Sequence, residues 1–407
     1  MKLLEYLNQN YNGKWTDKEL VANFLDVFGV NVKVTKPLYL FSYNTILVKW
    51  NDITKSCRGT ILAYVNDKWI IVSRPWDKFY NHHEGHSGVY QEKLFNDYVA
   101  ENTCYLMQKA DGTAIQLYWN PFVNQWDTST LGTIDTANCY DYPFTFAELF
   151  WKIVDKYEFR VAFEMLSIVH DTKEYTWLFE LCSKYNRIVT KYPKDTVFII
   201  GARHNQTGEY IPYSDIKTCA GLLGCDLPMV VPLNVKLQNL NVVLDFVEAE
   251  AVSTDYGMFP EGFVLYNNGT PVCKLKNSNY IAVHHLGGGD KGHARNCVIS
   301  AFFAGNIDDI YAVLGDDMQE FVEKMRVWYL EKVHKINKVI ADVSSKSFAD
   351  KREYALYLQR LTYLDKSLIS LFYKNMDSIV KGEFGGDDIN KWFMDNTRIF
   401  EKTIKAL

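Results

Sequence analysis

An α+β fold, strand-rich as far as residue 286 and all-helical from residue 290, is predicted by three observations. From Pro37 to Lys276 the apolar residues come mostly in short runs bounded by turn residues, the pattern of strands joined into mainly antiparallel sheets. After the stretch His284-His285-Leu286-Gly287-Gly288-Gly289-Asp290-Lys291-Gly292, the clear break in composition, apolar positions recur at helical spacing almost to the end. The 407 residues, 48% hydrophobic and 23% charged, can bury two ordinary cores. Two domains follow, 1–286 and 290–407.

The elements can be taken in order. Leu3, Leu4 and Leu7, then Leu20, Val21, Phe24, Leu25, Val27 and Phe28, predict two short helices that stop at Gly29. Leu38–Tyr43, Thr60–Val65 and Trp69–Ser73 read as strands, the last two joined by a turn at Asn66-Asp67-Lys68. Cys104–Met107 is an apolar run that reads as a buried strand. Ala114–Trp119 and the stretch around Trp126–Thr130 read as a hairpin, and Phe144 to about Val161 as a helix. Trp177–Leu181 and Val197–Arg203 are strands, and so are Phe263–Tyr266 and Val272–Lys276 around a turn at Asn267-Asn268-Gly269. In the helical region a first stripe runs Met318, Phe321, Val322, Met325, Trp328, Leu330, Val333, Ile336, Ile340. A second runs Leu356, Leu361, Leu364, Leu368, Leu371, Phe372. Both are expected to be core.

Composition narrows the function classes only a little. A net charge of −5 argues against a basic coat, so any nucleic-acid contact must come from a local patch. The 27 tyrosines, 24 phenylalanines and 10 tryptophans leave aromatic faces for stacking on bases. Eight cysteines without a Cys-x-x-Cys pair are expected to be reduced thiols in a cytoplasm. No apolar leader and no run of 18 apolar residues is present, so neither export nor a membrane span is expected.

The chemistry centres on Gln108-Lys109-Ala110-Asp111-Gly112-Thr113, which follows the Cys104–Met107 strand. A lysine at a strand end, with an aspartate two residues on and a glycine that lets backbone approach a ligand, suits a nucleophile facing a nucleotide phosphate. The same four residues also make an ordinary Lys-x-Asp-Gly turn. Glu180 interrupts an apolar strand, where an uncompensated carboxylate costs several kcal/mol, so a metal ion, a ribose hydroxyl or a lysine is implied as its partner. Glu261 is a second carboxylate of this kind. Lys274 and Lys276 share one face of their strand by its two-residue period, and want an anion between them unless that face is merely solvated. Arg58 and Lys78 stand at further strand ends.

These residue types fit a single chemistry, in which an amine attacks an α-phosphate, cations hold the phosphates, and carboxylates hold a divalent metal and the ribose. Lys109-Ala110-Asp111-Gly112, Phe179-Glu180, Glu261-Gly262-Phe263-Val264 and Lys274-Leu275-Lys276 resemble motifs I, III, IV and V of the covalent nucleotidyltransferases, the RNA and DNA ligases and mRNA-capping enzymes. Phe41-Ser42-Tyr43-Asn44, Cys57-Arg58-Gly59, Arg74-Pro75 with Lys78-Phe79, Asn186-Arg187-Ile188-Val189 and Thr207-Gly208-Glu209-Tyr210-Ile211 narrow the resemblance to phage-type RNA ligase 1 of tRNA repair. Gly305-Asn306-Ile307-Asp308-Asp309, in a helical C-terminal domain, is similar to that family too.

The resemblance implies an N-terminal adenylyltransferase domain and a helical domain that recognises RNA. It implies that Lys109 carries AMP, that Tyr280 serves ligation, and that Tyr43, Arg58, Lys78, Asp111, Gly112, Glu261, Lys274 and Lys276 bind ATP. Glu180 and Asp308 would serve magnesium, with manganese as a substitute. The substrate would be RNA with 5′-phosphate and 3′-hydroxyl ends, including broken tRNA, joined by a monomer in the cytoplasm, a host's if the chain is phage-encoded. Thr113 replaces the usual serine, and Leu131 stands where a lysine is expected. Rival readings are a DNA ligase, a GTP-using capping enzyme, and an idle RNA-binding protein of the same fold.

Other groups carry less. His82-His83-x-x-His86 has no fixed cysteine or carboxylate partner and is read as structural, and Asp316-Asp317 as a helix N-terminal cap. Lys324, Arg326, Lys332, Lys335 and Lys338 are candidates for an RNA-facing patch or a solvated face.

Overall fold

The computed structural model describes residues 1–84 except 14 and 46, 104–134, 139, 142–166 except 155, 171–186, 190, 192–233, 239–250, 261–277, and 291–405 except 306, 312, 313, 315 and 362. Three sheets carry the strand-rich region. β1 (Val30–Thr35), β2 (Leu38–Tyr43), β3 (Arg58–Val65) and β4 (Lys68–Ser73) lie in that order. β5 (Tyr80–Asn81), β6 (Cys104–Gln108), β7 (Thr113–Asn120), β8 (Gln125–Thr130), β9 (Tyr175–Cys182), β10 (Thr196–His204), β11 (Val230–Pro232), β12 (Gly262–Asn267) and β13 (Thr270–Lys276) build the other two, in the orders β10-β9-β7-β8 and β11-β6-β12-β13-β5. Among the described residues every pairing after β2 is antiparallel, except that β5 runs parallel to β13. The expected α+β class holds.

The period of two decides which side chain sees what. Trp177, Phe179 and Leu181 of β9 enter a core with Phe150, Phe159 and Phe163 of the helices Phe146–Ile153 and Lys156–Leu166. Cys104 and Leu106, Phe263 and Leu265, and Cys273 and Leu275 enter a second core with the helix Leu240–Glu250. The alternate residues Tyr105, Met107, Leu178, Val264 and Tyr266 meet Trp76 and Phe79 in a third cluster, between the two sheets. There the cavity described below lies.

Where one helix was expected from Phe144 to about Val161, two occur. Thr145 caps the first reciprocally with Glu148, and the chain turns at Val154 before the second. The two helical stripes also differ from expectation. The first lies on one helix, Asp316–Ser344, although Leu330 is exposed. The second is divided among Lys351–Arg360, the turn Lys366–Leu368 and Ile369–Lys374, and Leu356 is exposed. Leu364, Leu368, Leu371 and Phe372 are buried. A stripe read at constant pitch cannot register such breaks. Asp316 and Asp317 do fall in a first turn, where the helix dipole favours them.

The chain separates into two compact units. One holds 1–20, 32–43 and 49–287; the other holds 21–31, 44–48 and 288–407. Within the second, Asn337 donates to the Asp26 carboxylate at 2.8 Å, which ties the N-terminal segment to the long helix. On that helix Lys324 pairs with Glu320, Arg326 with Glu323, and Lys332 with Asp365, so three of the five candidate RNA-facing cations are already paired. Lys335 and Lys338 are exposed, Lys338 over the ring of Tyr363. Gly287, Gly288 and Gly289 lie outside the described residues.

Candidate active site

Lys109 follows the last residue of β6, where its N–H still donates to the Gly262 carbonyl at 2.8 Å. Its side chain leaves the sheet and meets Glu261, Nζ to Oε2 2.5 Å. The other oxygen of the same carboxylate accepts Lys276 at 2.9 Å. One buried carboxylate thus bridges two lysines. Alternation alone would send Glu261 to the face of Phe263 and Leu265, in the core. The positive φ of Gly262, 129°, breaks that alternation, and any Cβ there would lie 2.2 Å from the Leu275 carbonyl oxygen. Burial pushes the Glu261 carboxyl up, but Lys109 and Lys276 outweigh it and hold the group below the ordinary carboxylate range.

Lys109 opens on a cavity of about 260 Å³ between the sheets. Arg58, Gln108, Gly112 and Glu180 share its polar wall; Trp76, Phe79, Met107, Ile200, Val264 and Tyr266 form most of the rest. Glu180 takes the face of β9 opposite to Phe179 and Leu181 and so looks into the cavity, not into the core. Burial pushes its carboxyl up to about 7, with Lys109 opposing and Glu261 and Asp111 adding to the rise. Leu131, where the resemblance leads one to expect a lysine, is part of the wall.

The guanidinium of Arg58 lies over the rings of Phe79 (4.6 Å) and Trp76 (5.4 Å), while its Nη1 is buried with no acceptor among the described residues. Lys274 also stands over Phe79, at 5.5 Å. As the spacing predicted, Lys274 and Lys276 project from the face opposite to Cys273 and Leu275, which are core. Lys78 is buried in a cage of Tyr43, Trp50 and Tyr80, its ammonium 4.9–5.6 Å from the ring centres. Neither Lys78 nor Tyr43 lines the cavity.

Two of the residues expected at the nucleotide also hold the fold together. The Asp111 carboxylate accepts the Thr190 N–H at 2.6 Å, and the Asp111 N–H donates to the Tyr192 hydroxyl at 2.8 Å, so this residue holds both Thr190 and Tyr192. Gly112 does line the cavity, but what its missing side chain admits is a neighbouring strand: a Cβ would lie 2.3 Å from the Leu181 carbonyl oxygen. Tyr280 lies outside the described residues, as do Arg187 and His86. Asp308 is half-buried on the short helix Ile307–Tyr311 of the second unit. The described residues contain no group of three or more histidine, cysteine, aspartate or glutamate side chains arranged to hold a metal, and burial pushes His82 down to about 4. No described helix is long and apolar enough to cross a membrane. Seven described cysteines are free thiols. Sequence reasoning passed over Trp76, Phe79 as a plate under two cations, and the Lys276–Glu261–Lys109 bridge; each depends on contacts between strands far apart in the chain.

A family model for RNA ligase matches residues 56–281, more than half of the chain and the segment that holds Arg58, Lys109, Glu180, Glu261, Lys274 and Lys276. The chain belongs to the RNA ligase family. Within the family it is 29% identical, over 273 residues, to a protein of Autographa californica nuclear polyhedrosis virus named as a putative bifunctional polynucleotide kinase/RNA ligase. That alignment covers 65% of this chain but only 36% of the viral protein, so the chain spans about a third of that relative's length. It is 24% identical over 369 residues to an RNA ligase of Rhodothermus phage RM378, covering 81% of each. Among solved structures, an archaeal ATP-dependent RNA ligase aligns over 85% of this chain and 90% of its own, with 13% identity and a TM-score of 0.44.

Proposed function

We propose that the chain is an ATP-dependent RNA ligase that seals a 5′-phosphate to a 3′-hydroxyl in RNA by way of lysyl-AMP and RNA-adenylate. The observation that carries this reading is the Lys109 amine: it stands at a strand end on a cavity, held by a buried carboxylate and faced by an arginine whose donor has no acceptor among the described residues. In the first step Lys109 Nζ gives its ammonium proton to solvent and, as the neutral amine, attacks the α-phosphorus of ATP, forming an N–P bond as the bond to pyrophosphate breaks. Glu261 fixes where Nζ sits, and Lys276 fixes Glu261. Arg58 offers an N–H to phosphate oxygens as charge gathers on them. The AMP then passes to the RNA 5′-phosphate, and the 3′-hydroxyl displaces it.

Glu180 suits a divalent cation, magnesium or manganese: its carboxyl is a hard oxygen donor on the cavity wall whose charged form burial disfavours and a cation would favour. Such an ion, when bound, would neutralise phosphate charge. The substrate class, broken tRNA included, the cytoplasmic setting and the monomeric state belong to the same proposal.

The test is incubation with radiolabelled ATP and, separately, GTP, followed by a denaturing gel and by sealing of a 5′-phosphorylated RNA. A protein band labelled by ATP alone, together with joined RNA, is expected. Labelling by GTP points to capping chemistry, sealing of DNA alone to a DNA ligase, and no label to an idle RNA-binding protein.

A further inference from the structure

Trp76 is buried, 4% exposed, yet its indole Nε1 has no hydrogen-bond acceptor among the described residues. A buried donor left in this state costs about 1–3 kcal/mol, which a fold tolerates where a ligand supplies the acceptor. Trp76 lines the 260 Å³ cavity, and so does Arg58, whose Nη1 is likewise buried without an acceptor. The guanidinium carbon lies 5.4 Å from the centre of the Trp76 ring. Beside Nε1 stands Gly201, at the bulge between Ile199 and Gly201 in β10; a Cβ there would lie 3.9 Å from Nε1, and a glycine brings no side-chain acceptor to it. Two residues that each carry an unanswered buried donor, one cationic and one neutral, therefore share a wall of the cavity that holds the Lys109 amine.

We infer that Trp76 is a nucleotide-binding residue, whose indole N–H joins Arg58 Nη1 in holding a phosphate oxygen of the nucleotide. This rests on the reading of the cavity as a nucleotide site and adds to it a contact that no charge pattern announces. The indole also serves the same contact through its face, which carries the Arg58 guanidinium and so aims the cationic donor.

The experiment is calorimetric titration of the full-length chain and of its Trp76→Phe variant with AMP, with tripolyphosphate and with adenosine, alongside thermal melting of both proteins. Phenylalanine keeps an aromatic face for Arg58 and removes the N–H. Binding of AMP or of tripolyphosphate is expected to weaken by about 10-fold, with adenosine unchanged and the melting temperature not lowered. Weakening with AMP places the contact at the α-phosphate, and weakening with tripolyphosphate alone places it further out. Unchanged binding of both phosphates, weakening confined to adenosine, or weakening together with a fall in melting temperature would each overturn the inference. Should Trp76→Phe fail to fold, 3-benzothienylalanine at position 76 keeps the indole's shape and lacks its donor, and the same outcomes decide. If the native chain itself binds neither AMP nor tripolyphosphate and takes no label from ATP, it is the nucleotide site that has failed.

Discussion

Replacing Glu180 by glutamine turns the burial of one carboxyl into a measurable quantity. The group's folded pKa, pushed up to about 7, lies above the ordinary value of 4.5. The folded chain therefore binds the proton more tightly than the unfolded chain, and the stability this contributes is present in full below pH 4.5 and lost as pH rises through 7. At 1.36 kcal/mol per pH unit the span from 4.5 to about 7 is worth about 3 kcal/mol, an upper bound because one edge of the carboxyl opens on the cavity. Glu180→Gln imitates the protonated acid at every pH. In urea titrations without nucleotide or metal, the two proteins should differ by less than about 1 kcal/mol at about pH 5, and the variant should be more stable by about 1–3 kcal/mol at about pH 8. Sealing of RNA by the variant should be lost at both pH values if Glu180 serves a magnesium ion. Stability curves that stay parallel between those two pH values would refute the reasoning, since they would mean that the carboxyl is not strained by burial.

Other substitutions probe the same wall. Lys109→Ala should abolish the covalent AMP adduct and leave sealing of pre-adenylated RNA measurable; an adduct in the variant would remove Lys109 as nucleophile. Lys276→Met should leave one oxygen of Glu261 unpartnered and slow adduct formation by about 10-fold or more, read from the single-turnover rate at saturating ATP. Gly112→Ala should cost at least about 2 kcal/mol in urea unfolding, because its Cβ would meet the Leu181 carbonyl oxygen at 2.3 Å; an unchanged midpoint would count against that packing. A chain ending at residue 286 removes Asn337 from Asp26 and Gly386 from its neighbour Leu25, and should melt lower than the full chain at a matched concentration.

Most of the strands, the α+β class and the family were legible in the sequence, because they rest on local periodicity and on short motifs. A period of two is enough to place Lys274 and Lys276 on one face and Glu180 opposite to Phe179, and a strand-end lysine before Asp111-Gly112 is visible without coordinates. What the amino acids in order cannot express is which distant strands meet. Only the tertiary structure turned Glu261 from a second carboxylate into a bridge between Lys109 and Lys276, since that depends on the backbone of Gly262 leaving the strand's alternation. It showed Asp111 tied to Thr190 and Gly112 seated against β9. It also grouped residues 21–31 and 44–48 with the C-terminal helices, where a boundary drawn on composition kept the N-terminal region whole. The physical reason is common to all of these. A hydrogen bond or an ion pair acts within about 3 Å in space, and the chain's own order fixes such distances only between near neighbours.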